Sequence, residues 1–301
     1  MAAYASTLWI AVTSESLAAG GVASLANGLA IAFLFIVGHD CCHGSFLPTR
    51  VENRVVGQAA FLTSLHPFAL WRIGHNLTHH RFTNLASRDY VYRPLSLEQY
   101  RALRPLARAA YRFHRSAIGP LTYYLAEIWL PKMIFAPRAV VRDRGRECTR
   151  DRALVGLWVA SFFAAAALLP LPAWRVVVLG LLVPFATFCV VMSVAIYLHH
   201  TSPRVRWFAT EAEWDRATAQ RRCTVHVEVP RAISLLFHRI MDHTAHHVRP
   251  GVPIHRLHEA QGALASEAVS MRWTPSLHLE IVRTCRLYDF DRHLWLDYDG
   301  S

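Results

Sequence analysis

Three histidine clusters hold the chemistry of this chain: HDCCH at His39 to His43, HNLTHH at His75 to His80, and HTAHH at His243 to His247. Eight imidazoles grouped in this way can bind transition-metal ions, because imidazole suits iron, copper or zinc and not magnesium or calcium. With 18 histidines in 301 residues, a given three-histidine pattern is expected by chance roughly 0.06 times per chain, so two triplets and a pair are a signal. Isolated histidines are ordinary surface or core residues, and His66, His114, His278 and His293 are read so.

His39 and His43 are four residues apart, one turn along the same face of a helix. His75 and His79 repeat that spacing, which turns His80 about 100° further round, towards a second ion. His243, His246 and His247 add spacings of three and four. Eight nitrogens are too many for one ion and suit two, each with four to five ligands. A structural zinc site needs only four closed ligands. A metal transporter holds its ion near the bilayer midplane, whereas these clusters lie at or beyond the ends of apolar stretches. Asp40, Asn76 and Asp242 can accept the second ring N–H of a ligating histidine. His199 and His200 end the last apolar stretch and are the best sources of a ninth ligand, ahead of His226 and His238.

The elements that must position these residues are membrane helices. Hydrophobic residues make up 53% of the chain, above the share of a soluble domain, and the excess is concentrated. Residues 17–37, 153–171 and 176–198 carry no charge and are long enough to cross a hydrocarbon core. Residues 5–13 are too short to cross, and form a partial span or the remainder of a truncated one. No basic residue precedes them, so a cleavable signal peptide does not fit.

A single metal site requires all three clusters on one face of the membrane. The first cluster follows the span at 17–37 directly. Residues 55–71, interrupted by His66 and Pro67, must then lie in the interface or re-enter, because a full crossing would put the second cluster on the wrong side. Residues 121–135 read as an aromatic-rich interfacial helix broken at Pro131. The last two spans form a hairpin that returns His199 and His200 to the face of the clusters.

The net charge of +11 comes almost wholly from arginine, with Lys132 the single lysine among 32 basic residues. Arg101, Arg104, Arg108, Arg112 and Arg115, then Arg138, Arg142, Arg144, Arg146, Arg150 and Arg152, crowd the segment between the first and second spans. That segment is cytoplasmic by the positive-inside rule. Flanking membrane helices and anionic lipid account for this basic run without nucleic acid. Six cysteines with no CxxC pair fit reduced thiols on a cytoplasmic face.

The three boxes HDCCHGSF, GHNLTHHRFTN and IMDHTAHHVRPGVP, with PFALWR, RDYVYRPLSLEQY and IYLHHTSP, resemble the membrane fatty-acid desaturases, particularly the bacterial acyl-lipid omega-6 or delta-12 branch. The likeness covers most of the chain. It implies an all-α integral membrane protein, a single domain over residues 1–301 in which a transmembrane helix bundle carries a cytoplasmic helical cap. It also implies a non-haem di-iron centre held by His39, His43, His75, His79, His80, His243, His246 and His247, with His200 as the extra ligand. The reaction implied is O2-dependent desaturation of an acyl-lipid or acyl-thioester in a bacterial inner membrane, with two electrons from ferredoxin or a similar donor. Ser202, where relatives often carry histidine, and Cys42, where glycine is frequent, depart from the pattern. Di-iron hydroxylases and ketolases share the boxes and are the alternative, ahead of a non-enzymatic membrane metal-binding protein.

Overall fold

The computed structural model describes residues 1–136 and 141–301; Arg138 of the basic run lies outside them. The chain divides into two compact units, each made of two stretches: residues 1–73 with 129–192, and residues 74–128 with 193–301.

The first unit is a set of apolar helices. Helix α1 (Ala2–Thr13) packs antiparallel on α2 (Leu17–His43), with Gly20 against the Ala11 carbonyl and the Asn27 side-chain amide donating to the Tyr4 carbonyl at 2.8 Å; the start of α2 is capped by the Ser16 hydroxyl accepting from the Ala19 amide. The sequence span at 17–37 is extended by a further turn and a half, because no proline interrupts GHDCCH and Gly38 keeps helical geometry within the run. There the φ of +72° ends the helix in the left-handed conformation that glycine adopts without strain. The first histidine box is therefore the last turn of α2. Helix α3 (Arg50–Thr63) starts from a reciprocal Thr49–Glu52 capping box. It approaches α2 closely at Gly57, where a Cβ would stand 2.3 Å from the Phe68 ring and 2.8 Å from the Cys41 Cβ. Small residues permit such approaches between membrane helices.

Residues 55–71 do not form one continuous helix. The chain turns at 64–67 and resumes as α4 (Phe68–Gly74). In that turn His66 is buried among Phe35, Phe61, Trp71 and Phe188, and its Nδ1–H donates to the Ser64 carbonyl at 2.6 Å. Asp151, on α5 (Gly145–Leu168), secures this region by accepting from the Gln58 amide at 2.8 Å and from the Ala69 backbone N–H at 2.9 Å. The final hairpin returns as a π-helical run, Arg175–Leu182, followed by α6 (Val183–His200). Pro184, which lacks the N–H an α-turn needs, sits where the two geometries meet. Among the described residues, three helices are long and apolar enough to cross a membrane: Leu17–His43, Gly145–Leu168 and Arg175–His200.

The second unit is built on polar anchoring. Arg115 is buried and donates to the backbone carbonyls of Tyr92 at 2.6 Å and Cys285 at 3.1 Å. Tyr92 stacks on Tyr123 with 3.6 Å between ring centres. Two helices matter for the site, α7 (Arg216–Arg222) and α8 (His243–Val248). Strands are few and short: β1 (Val225–Glu228) pairs in parallel with β2 (Val269–Arg272), and β3 (Leu287–Asp289) pairs antiparallel with β4 (Leu294–Leu296).

Candidate metal centre

The second unit gathers seven of the nine sequence-predicted ligands into two groups. Candidate donor atoms of His75, His80 and His246 lie within 4.8 Å of one another, and so do those of His79, His200, His243 and His247. All seven side chains are buried. The groups adjoin, with the rings of His80 and His247 stacked at 4.2 Å.

The partition within the second box differs from the α-helical expectation. His75–His79 is a π-helical turn, closed by the His80 amide donating to the His75 carbonyl at 2.9 Å. Pairing residues five apart puts His75 and His80 one above the other. Their Nε2 atoms are 3.0 Å apart, and it is His79, not His80, that turns towards the other group. In the third box, α8 has ordinary α-geometry, so His243 and His247, four apart, share a group while His246 joins His75 and His80.

The donor set fits metal ions. Nε2 pairs at 3.0 Å recur in His75–His80, His80–His246 and His200–His243. Two nitrogens at about 2.1 Å from one ion and at right angles to each other would stand roughly 3.0 Å apart. Burial, reinforced by neighbouring imidazoles, holds His243 and His247 well below the usual imidazole range, in the neutral form that ligates metal.

Side chains around the groups fix ring orientation. Asp89 accepts from His79 Nδ1–H at 3.0 Å and is itself held by the backbone N–H groups of Asn84 and Val91. Gln220 on α7 accepts from His247 Nδ1–H at 2.8 Å while its amide donates to the His80 carbonyl. The Thr83 hydroxyl lies 3.2 Å from the same His247 nitrogen. His247 Nε2 is thereby left buried with no hydrogen-bond partner among the described residues, and in the group with His79, His200 and His243. None of Asp89, Gln220 or Thr83 carried a sequence signal beyond lying in or near the motif segments. Asp89, in RDYVYRP, was detectable only as a carboxylate ten residues after His79.

The expected orienting role of Asp242 is corrected. Its carboxylate accepts from His226 Nε2 at 3.0 Å and His258 Nδ1 at 3.3 Å, neither of them in a group. This contact also accounts for His226, which lies outside both groups. His199 stacks on His243 at 3.8 Å between ring centres and sits 3.3 Å from the Met241 sulfur; His200, not His199, belongs to a group. His39 and His43 belong to the first unit, at the end of α2, with their rings 4.9 Å apart.

Apolar helices of membrane-spanning length and two buried imidazole groups define a helical membrane protein with a candidate two-metal site. Residues 15–275 match the family described as "Fatty acid desaturase", and the chain belongs to that family. Among its relatives, the "sn-1 oleoyl-lipid 12-desaturase" of Synechocystis sp. is 33% identical over 87% of this chain and 74% of the relative. The enzyme of the same name from Picosynechococcus sp. is 30% identical over 89% and 76%. The chloroplastic "Omega-6 fatty acid desaturase" of Spinacia oleracea is 30% identical over 88% of this chain and 58% of its own, longer length. The chain is thus a membrane fatty-acid desaturase, an oxidoreductase.

Proposed function

We propose that the chain introduces a double bond at the 12 position of an oleoyl group carried on a membrane lipid, at a centre of two iron ions. The balanced reaction converts –CH2–CH2–, O2, two electrons and two protons into –CH=CH– and two waters. The observation that supports it most is the pair of buried imidazole groups in the second unit. The names of the cyanobacterial relatives support the substrate and position.

In this reading His79, His200, His243 and His247 hold one iron. His75, His80 and His246 hold the other, and His39 and His43 of the first histidine box are further iron ligands, as the family resemblance implies. When bound, the irons supply the oxidising power that an unactivated methylene requires. The protein residues hold and shield that centre. Asp89 and Gln220 keep the Nδ1 protons of His79 and His247, so that each ring presents its Nε2 lone pair. Burial of the groups keeps water from the reacting carbons. Saturated methylenes offer nothing polar to recognise, so an apolar channel for the acyl chain selects the carbon by depth and bend.

The protein lies in a bacterial inner membrane with its histidine boxes on the cytoplasmic side, as the arginine-rich segment before Gly145 supports. A ferredoxin or similar acidic donor docks on that basic face by charge complementarity and delivers the electrons. The test is expression in a desaturase-null bacterial host supplied with oleate and a compatible ferredoxin, followed by mass spectrometry of fatty-acid methyl esters. A new 9,12-diene that disappears in His79→Ala is the expected result. Hydroxylated acyl chains without any new alkene would place the chain among the hydroxylases and sink the proposal.

A further inference from the structure

The first unit contains a cavity of about 380 Å³ bordered by Arg50, Arg54 and Arg72, with Glu147 as its one carboxylate and Cys41, Val51 and Phe68 among its apolar walls. Its volume is within the usual range for small-ligand sites, roughly 300–1,000 Å³. We infer that this cavity binds the phosphate of an anionic phospholipid headgroup. The inference rests on the acyl-lipid reading above and deepens it by naming the headgroup class.

Depth is the first argument. The apolar run of α2 ends at Val37, and His43, on the cavity wall, is six residues further on, about 9 Å along a helix axis. The polar layer of a bilayer is about 5–8 Å thick on each side of the hydrocarbon. Measured along α2, the cavity wall at His43 therefore stands at the outer edge of the headgroup layer, where lipid headgroups meet water.

Charge is the second. Arg54 and Arg72 each approach the same oxygen of Glu147, Oε1, at 3.1 Å. Arg50 is exposed and has no carboxylate in ion-pairing range among the described residues. Arg54 and Arg72 thus share one carboxylate, and with Arg50 on the same wall the cavity has a surplus of two positive charges. A phosphodiester supplies a compensating charge and acceptor oxygens matched to the guanidinium fork. The walls are also firmly built: the Asn53 side chain accepts from the Phe46 and Leu47 amides and donates to the Leu47 and Thr49 carbonyls, pinning the loop between α2 and α3. Arg50 and Arg54, four apart on α3, face the cavity together.

The test is native mass spectrometry of the full chain released from micelles containing equal amounts of dioleoyl phosphatidylglycerol and dioleoyl monogalactosyldiacylglycerol. The intact chain should retain one phosphatidylglycerol in preference to the galactolipid. Each exposed arginine near a membrane surface contributes roughly fivefold to anionic-lipid binding, so Arg50→Gln should weaken retention about fivefold and Arg50→Gln/Arg54→Gln about 25-fold. Arg50→Lys and the distant Arg231→Gln should retain it. Displacement by millimolar inorganic phosphate would instead identify a free-anion site and overturn the lipid assignment. Equal retention of the two lipids, or no loss in the double variant, would overturn it as well. These binding outcomes are separable from the desaturation assay: dienes formed without phosphatidylglycerol preference remove only this inference, whereas no dienes at all removes the reading beneath it.

Discussion

Asp89 offers the sharpest test of how the site is supported. Its buried carboxylate, 2% exposed, accepts the His79 Nδ1–H and two backbone N–H groups, those of Asn84 and Val91. Asp89→Asn leaves one acceptor oxygen and turns an NH2 group towards donors, so it cannot satisfy both the ring and the loop. A hydrogen bond to a charged acceptor is worth about 1.5–3 kcal/mol, equivalent to roughly 10- to 150-fold in an equilibrium constant. This agrees with the 10- to 100-fold loss of metal affinity typical when such outer partners are removed. The assay is anaerobic Fe(II) titration of the apo-protein in detergent against a competing chelator, with circular dichroism to confirm that the helices remain. Asp242→Asn is the internal comparison, because its carboxylate holds His226 and His258 and no group ligand; it should change iron affinity less than about threefold. Asp89→Asn within threefold of the parent, or indistinguishable from Asp242→Asn, would refute the orientation argument.

Three further outcomes are expected. His200→Ala should remove bound iron from the group with His79, His243 and His247, whereas His199→Ala should retain it, as measured by iron per chain. Gln220→Ala releases both His247 Nδ1 and the His80 carbonyl and should lower iron affinity about tenfold in the same titration. Gly57→Ala forces a Cβ into the Phe68 ring and towards Cys41, and should destabilise the first unit by about 1–3 kcal/mol, read as a lower Tm in detergent.

Much of the site was legible because its chemistry is local. The boxes declare themselves by histidine spacing, and His200 by ending an apolar stretch. The grouping inside the second box was not legible, since HNLTHH is compatible with an α-turn and nothing in it announces the π-turn that exchanges the roles of His79 and His80. Asp89 and Gln220 were hidden for a different reason. They reach His79 and His247 from 10 and 27 residues away, and a lone Asp or Gln has no pattern until the chain is folded. Asp242 misled because adjacency to His243 in sequence places its side chain on another side of the helix start, against His226 and His258. Among the helices, lack of charge marked the apolar cores but not their ends: α2 continues to His43 and α5 begins at Gly145, where polar residues extend each helix past its hydrocarbon length.

The central claim, a two-iron centre divided between two imidazole groups, is tested most directly by counting metal. Full-length protein saturated with Fe(II) under anaerobic conditions and freed of excess should contain two irons per chain by elemental analysis, and His243→Ala should contain one. A saturated parent with one iron or fewer, or a His243→Ala protein that still holds two, would contradict the account.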